Sequence, residues 1–284
     1  MLKNELSAYE LDCIRFYMGD PEIVNRGDFR GGPKAYNTIN ALLHDGIQNE
    51  IDKMSEGKRI EIFDAEHLKS YMSLIAAIYV AMQKYSQSHE NRHLTTYRVD
   101  RFSEIAGLTE KKRIEGFYST CKWGYLSEYA NTKANVVLLE IVREENIPYL
   151  DFESLFAKYY AKPQEAEILL PFDAKVKKVE EVPLTEEEKI LYQDIHGEPP
   201  IGKFKVRLEY NDSLELKKSW TLDAWEDLQH EILSSETIMC VQNCLKHLNE
   251  CKQLEKEELK FYTDWKQKIK LYIAKMIEER AYAF

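Results

Sequence analysis

Two glutamates and one arginine are the side chains whose types and spacing could do chemistry in this sequence. Glu165 and Glu167 lie two residues apart in the segment EAEILLP, and a strand directs side chains at positions i and i+2 to the same face. Two facing carboxylates repel, which tends to raise the pKa of one of them and prepares it to accept a proton. Arg98 could bind a phosphate group through paired, charge-assisted hydrogen bonds. The ordinary alternatives are glutamates that face water and an ion pair of Arg98 with Asp100 or Glu104.

These residues belong to three segments that follow one another along the chain: Thr96-Tyr97-Arg98, Gly116-Phe117-Tyr118-Ser119-Thr120 and Glu165-Ala166-Glu167. In this order the segments resemble the Arg, Ser-Thr-Ser and Glu-x-Glu signature of the ADP-ribosyltransferases related to bacterial toxins. Residues 35–43 (AYNTINALL) are also similar to the helix that precedes these strands in that family, and the resemblance covers about residues 8–210. The ordered combination is specific, whereas each segment alone is a weak signal.

The resemblance implies NAD as the substrate. The nicotinamide of NAD departs neutral, so the site must stabilise the oxocarbenium-like sugar rather than protonate the leaving group. The resemblance assigns that role to Glu167, bonded to the ribose 2′-hydroxyl, and assigns acceptance of the acceptor's proton to Glu165. It places Arg98 on the pyrophosphate, and Ser119 with Thr120 beside the nicotinamide ribose and the catalytic glutamate.

Two positions depart from the family pattern. Val99 stands where glycine is common, so a contact there with the carboxamide of NAD would come from the backbone. Cys121 stands in place of the second serine of the Ser-Thr-Ser element. Neither departure removes a group that the chemistry above requires.

Aromatic residues near these segments are further candidates. Trp123 and Tyr125 lie in the loop CKWGY, where an aromatic ring could stack on nicotinamide or pack in the core. The family places its acceptor-recognition loop where this chain has residues 151–164, which read equally as a short amphipathic helix. Three residues of that stretch are candidate contacts with the acceptor: Phe156, Tyr159 and Tyr160.

Several alternatives compete for the acceptor and the activity. The Glu-x-Glu pair resembles the arginine-modifying branch and favours a protein acceptor, whereas the basic runs at 111–113 and 175–178 could follow a nucleic-acid backbone. A non-catalytic interaction module of the same fold is a second alternative. The third is a zinc metalloprotease, because His89-Glu90-x-x-His93 fits H-E-x-x-H, but no apolar helix surrounds it and we expect no metal.

The elements that position these residues predict an α+β protein. Helical spacing covers residues 34–54 and 64–82, and two further amphipathic helices cover residues 221–248 and 251–282. Between them lie short strands rich in β-branched and aromatic residues, at 94–100, 115–121, 134–143, 165–172, 175–182 and 203–210. With the resemblance, this predicts an ADP-ribosyltransferase-like split β-sandwich at 1–212, with N-terminal helices, and a C-terminal helical hairpin at 213–284.

Composition and charge bound the remaining expectations. The net charge of −10 disfavours tight non-specific binding to nucleic acid, and five cysteines without a C-x-x-C pair argue against disulfides and a thiolate zinc site. The charged N-terminus and the lack of a long apolar run predict a cytoplasmic protein without membrane association, compatible with leaderless secretion. We therefore expect a bacterial toxin, effector or defence enzyme whose hairpin binds a neutralising or chaperone partner.

Overall fold

The structure is a computed structural model that describes residues 5–32, 34–55, 57–89, 94–124, 135–156, 166–210 and 221–282. Its residues divide into two compact units: Met1–Ala81 with Asp212–Phe284, and Met82–Asn211. The assignment of residues 1–212 to a transferase domain and of 213–284 to an extension stays a prediction.

Eleven helices lie in the described part of the chain. Their bounds are Ala8–Tyr17 (α1), Pro21–Arg26 (α2), Ala35–Leu43 (α3), Ile47–Ser55 (α4), Ala65–Ser88 (α5), Phe102–Lys111 (α6), Phe152–Phe156 (α7), Glu186–His196 (α8), Leu222–Leu233 (α9), Ser235–Asn249 (α10) and Lys256–Tyr282 (α11). None of these helices is both long and apolar enough to cross a lipid bilayer.

A seven-stranded sheet forms the centre of the second unit, which confirms the α+β class. Its strands are Thr95–Arg101 (β1), Tyr118–Cys121 (β2), Val136–Arg143 (β3), Leu150–Asp151 (β4), Glu167–Leu170 (β5), Lys175–Val182 (β6) and Lys203–Glu209 (β7). Their order in the sheet is β4-β5-β2-β1-β3-β7-β6. The neighbours β3 and β7 run parallel, and the other described pairs are antiparallel.

The sheet narrows between β1 and β2. β1 pairs with β3 continuously from Thr95 to Arg101, whereas Tyr97 opposite Cys121 is the one register pair between β1 and β2 in the described residues. The narrow join separates a sector of β4, β5 and β2 from a sector of β1, β3, β7 and β6. This division is in keeping with the split arrangement predicted from the sequence.

The apolar strand β3 and helix α8 build the core beside this join. The segment VVLLEIVR of β3 is apolar on both faces at its start, which suits a central strand. Helix α8 begins with a capping box formed by Thr185 and Glu188 and ends at Gly197 in the left-handed conformation. Its Tyr192 is buried in a cluster with Val99, Val136 and Leu138, so α8 covers this face of the sheet.

The first unit packs the C-terminal helices against N-terminal segments. Asn249 donates its side-chain amide to the carbonyl oxygen of Ile60 at 3.1 Å and accepts from the N–H of Ile60 at 3.3 Å. Lys266 of α11 forms a buried ion pair with Glu50 of α4. In the same unit Trp265 is buried on α11, along the apolar side that the sequence pattern indicates.

Two long helices predicted from apolar spacing are interrupted. Residues 44–46 separate α3 from α4 inside the predicted helix 34–54. The predicted helix 221–248 is divided at Ser234, which has an extended backbone and accepts the Thr237 N–H as the N-cap of α10. In both cases the apolar pattern continues across the break, so periodicity alone did not reveal it.

Candidate active site

The predicted catalytic segments lie on three neighbouring strands, β5, β2 and β1. Cys121 stands opposite Glu167 on β5 and opposite Tyr97 on β1, and Ser119 stands opposite Leu169. Because paired residues in antiparallel strands share a face, Tyr97, Ser119, Cys121 and Glu167 are directed to one side of the sheet. We call this side the Glu167 face.

Ser119 and Glu167 are diagonal neighbours on the Glu167 face. Diagonal positions on paired strands are about 7–8 Å apart, within reach of a long side chain and a bound substrate. The Glu167 side chain is half-buried at the start of β5, while the next three residues of the strand are buried. A carboxylate is thus presented beside a serine at the edge of an apolar core.

The side chain of Arg98 makes its contacts on the opposite side of the sheet. Its Nε donates to Asp100 Oδ1 at 2.6 Å, and its guanidinium lies 4.5 Å from the centre of the Tyr118 ring. The Tyr118 hydroxyl donates to the other oxygen of Asp100 at 2.7 Å. Burial, together with the Asp100 charge, raises the pKa of Tyr118 well above its ordinary value. The ion pair of Arg98 with Asp100, which the sequence offered as the ordinary alternative, is therefore present.

Arg98 also joins β1 to the Ser119 segment. A second nitrogen of its guanidinium donates to the carbonyl oxygen of Ser119 at 2.8 Å. This bond connects β1 to β2, which share only one register pair in the described residues, so it holds the backbone that carries the Ser119 side chain. The structure thus brings Arg98 to Ser119 through the main chain, while alternation separates its side chain from the Glu167 face. Its contact with the pyrophosphate of NAD stays a prediction.

Side-chain bonds hold β2 to β5 and α7 around Glu167. The buried hydroxyl of Thr120 donates to the carbonyl oxygen of Ile168 at 2.7 Å, so this predicted NAD contact serves as a cross-strand bond here. Lys122 pairs with Asp151 at 3.0 Å and with Glu153 at 2.6 Å. The backbone N–H of Lys122 bonds to the carbonyl oxygen of Ala166, the residue directly before Glu167.

Ala166 has a left-handed backbone with a φ of 41°, a conformation that costs a residue with a Cβ about 1–2 kcal/mol. It is buried, and its carbonyl oxygen is held by Lys122. The bend therefore sets the point at which the chain enters β5, directly before the half-buried Glu167.

A cleft of about 170 Å³ opens on the Glu167 face. Its lining residues are Tyr97, Trp123, Gly124, Leu138, Glu188, Leu191 and Tyr192. Trp123 is 54% exposed, so its ring is open to a ligand. A Cβ on Gly124 would lie 3.3 Å from the Tyr97 ring, so glycine allows the close approach of this loop. Tyr97 lies two strands from Glu167, which is about 10 Å at ordinary strand spacing.

Helix α8 supplies one wall of this cleft, and it was not predicted from the sequence. The signal was the pattern T-x-x-E at Thr185 to Glu188, which marks a helix start. Glu188 pairs with Lys203 at 2.6 Å, and Lys203 pairs with Glu140 at 3.0 Å. Burial opposes the charge on Lys203, but hydrogen bonds to Glu188 and Glu140 outweigh it and raise the pKa of Lys203. The Glu188 carboxylate in the cleft lining is therefore held in place by a charged lysine.

The remaining candidate residues are buried or lie outside the described part. Val99 is buried against Leu138 and Tyr192, which leaves only its backbone for a ligand. Phe156 is buried and packs on Phe152 in α7, as in the helical alternative, so its side chain is not displayed to an acceptor. Four candidates lie outside the described residues: Tyr125, Tyr159, Tyr160 and Glu165.

His89 of the H-E-x-x-H pattern directly follows α5. Its ring stacks on Tyr85 at 3.9 Å, and its Nδ1 lies 2.9 Å from the Tyr85 carbonyl oxygen. Residues 90–93, which include the other residues of the pattern, lie outside the described residues. Among the described residues no group of three or more acidic, histidine or cysteine side chains is arranged to hold a metal ion.

No protein-family model matches the sequence, and no curated protein matches it. Several solved structures resemble the chain remotely, among them the following three. The catalytic domain of VahC from Aeromonas hydrophila is 15% identical with a TM-score of 0.41, over 72% of this chain and 100% of that domain. The catalytic domain of VsdC from Aeromonas hydrophila is 17% identical with a TM-score of 0.38, over 70% and 99%. The Salmonella SpvB ATR domain is 15% identical with a TM-score of 0.38, over 72% and 100%.

Proposed function

We propose that this chain is a mono-ADP-ribosyltransferase that transfers ADP-ribose from NAD to a macromolecule, with an arginine side chain of a protein as the favoured acceptor. The observation that carries the proposal is the placement of Ser119 and Glu167 on one face of two paired strands, beside the strand of Arg98. The residues are distant in sequence, and the order of their segments is the one that the family signature has.

The chemistry asks little of the protein beyond charge and position. When the bond between C1′ of the ribose and the nicotinamide nitrogen breaks, the electron pair stays with nicotinamide, which leaves neutral. The sugar becomes a cation, which the carboxylate of Glu167 stabilises while it accepts a hydrogen bond from the ribose 2′-hydroxyl. The acceptor nitrogen then bonds to C1′ and loses its proton. From the sequence pattern, Glu165 is proposed to accept that proton.

The contacts of Arg98 suggest that it positions as well as binds. Its bond to the Ser119 carbonyl oxygen supports a role in holding the serine beside Glu167. A pyrophosphate that bound Arg98 would have to compete with Asp100 for the guanidinium. We therefore propose that substitution of Arg98 affects both the binding of NAD and the rate of bond breaking.

The aromatic cleft is the proposed place for a planar ring of NAD. Trp123 and Tyr97 offer ring faces on the same side of the sheet as Glu167, within about two strand spacings. This is consistent with the stacking role proposed for Trp123 from the sequence. Glu188, at the wall of the cleft, is already bonded to Lys203 and is proposed to fix the wall rather than to react.

Three of the basic residues weighed for nucleic-acid binding have acidic partners, which makes a nucleic-acid acceptor the weaker alternative. Lys177 pairs with Glu209 at 3.4 Å, and Lys178 forms an ion pair with Glu180. Arg113 lies 3.9 Å from Asp173. A phosphate backbone would have to compete with these carboxylates and would be repelled at long range by the net charge of −10.

The test is Glu167→Gln, a substitution that keeps the shape and removes the charge. We expect release of nicotinamide from NAD to fall by about 100-fold or more, with an unchanged circular dichroism spectrum. Glu181→Gln, an exposed glutamate of β6 in the same sheet, is the matched control and should keep full activity. Retention of more than half of the wild-type rate by Glu167→Gln would contradict the proposal.

A further inference from the structure

Helix α8 has a solvent face of mixed aliphatic and acidic side chains. Five of its exposed positions recur at helical spacing, three and four residues apart. They are Glu187, Ile190, Leu191, Asp194 and Ile195. We call these five residues the α8 stripe.

The aliphatic members of the α8 stripe are unusually open. Ile190 is 55% exposed, Leu191 41% and Ile195 52%, although Tyr192 on the other side of the same helix is buried in the core. A single exposed aliphatic residue is ordinary, but three on one side of a short helix form a patch of the kind that marks an interaction site.

The acidic members determine the charge of what can bind. Glu187 and Asp194 are exposed, and in the described part of the chain no lysine, arginine or histidine lies within ion-pair distance of either carboxylate. The neighbouring Glu186, the first residue of α8, is paired with Lys189 at 2.6 Å. The patch therefore repels nucleic acid and anionic lipid and attracts a basic surface.

We propose that the α8 stripe is the docking surface for the acceptor protein, and that it binds a basic amphipathic segment presenting aliphatic side chains between lysines or arginines. A helix with anchors three and four residues apart matches this spacing. Leu191 belongs both to the stripe and to the lining of the cleft that contains Trp123, so a docked segment lies at the mouth of that cleft. The link to transfer rests on the proposed function, whereas the binding itself does not.

Binding is tested first, on the full chain, with a fluorescein-labelled synthetic peptide that carries leucine and arginine at helical spacing. Ile190→Ser with Ile195→Ser, which removes the apolar contacts without adding charge, should weaken peptide binding by about 100-fold. Glu187→Lys with Asp194→Lys should weaken it by about tenfold or more and remove most of its salt dependence. The matched controls are Met239→Ser, an apolar residue of α10 that is 58% exposed, and Asp223→Lys with Glu226→Lys on α9. Both control variants should bind the peptide as the wild type does.

Transfer is tested next, with the same peptide and with agmatine, a small guanidine that needs no docking surface. Both α8 variants should raise the KM for the peptide and leave the transfer to agmatine and NAD hydrolysis unchanged. Peptide binding that is absent from the wild type, unaffected by both α8 variants or equally lost in the controls overturns the docking surface. A wild type that does not hydrolyse NAD would overturn the proposed function instead. The peptide-binding result would still decide whether the α8 stripe is a docking surface.

Discussion

The cluster of Arg98, Asp100 and Tyr118 gives the sharpest prediction about the second unit. Asp100 is 2% exposed and accepts from Arg98 at 2.6 Å and from Tyr118 at 2.7 Å. Asp100→Asn keeps the size of the side chain and one acceptor oxygen, but it removes the charge and turns an N–H₂ group toward one of the two donors. The guanidinium would then lose the carboxylate to which it is hydrogen-bonded.

The expected cost of Asp100→Asn is about 2 kcal/mol of the free energy of unfolding. A hydrogen bond to a charged group contributes about 1.5–3 kcal/mol, and one of the two bonds is lost outright. Because the Arg98 side chain is 29% exposed, water relieves part of the loss, so a full buried-pair penalty does not apply. In urea this cost corresponds to a midpoint about 1 M lower.

Urea unfolding followed by circular dichroism measures the change, and native-state hydrogen exchange of peptides from β1 and β2 localises it to this unit. Asp194→Asn, an exposed aspartate on α8, is the control and should change the free energy by less than about 0.5 kcal/mol. A double-mutant cycle with Tyr118→Phe should give a coupling energy above about 0.5 kcal/mol. An Asp100→Asn variant as stable as the control would refute the reasoning.

Two further predictions concern acid stability and thiol reactivity. Burial opposes the charges of both carboxylates, but hydrogen bonds from Lys205 and Lys203 lower the pKa of Glu140, and hydrogen bonds from Lys203 and the Thr185 backbone lower the pKa of Glu188. These carboxylates stabilise the fold above their ordinary pKa of about 4.3, and this stability is lost as pH falls through the lowered values. Lys203→Met should therefore reduce stability at pH 7 and flatten its dependence below about pH 5, as pH-dependent urea titrations would show. Burial raises the pKa of Cys13 to about 12, so iodoacetamide at pH 8 should label the exposed Cys240 and leave Cys13 unmodified until the protein unfolds, as read by mass spectrometry.

Strand β6 was predicted with the bounds that the structure shows, whereas helix α8 was not predicted. The predicted strand 175–182 has the bounds of β6, because alternating charged and β-branched residues suit an exposed edge strand. Helix α8 was missed because its apolar residues Ile190, Leu191 and Ile195 point to solvent, so the sequence lacks a single apolar stripe facing the core. The capping residues, not the periodicity, carried the signal there.

The candidate site was predictable in its strands but not in its side-chain partners. The order of segments indicated neighbouring strands, and the register places Ser119 and Glu167 on one face. Strand alternation also puts Asp100 on the same face as Arg98, so the ion pair was visible in the sequence as an alternative. Sequence alone could not weigh that intramolecular partner against a phosphate, because the choice depends on burial and on the Tyr118 ring above the guanidinium.

The narrow join in the sheet has a mechanical consequence. With one register pair between β1 and β2, against a continuous ladder between β1 and β3, the seam should open at a lower free energy than its neighbour. Hydrogen bonds from the side chains of Arg98 and Tyr118 connect β1 to β2 here, where other strand pairs are connected by backbone hydrogen bonds. Slight rotation of one sector against the other would alter the distance from Ser119 to β1. We therefore expect the geometry of the site to change most easily at this narrow join.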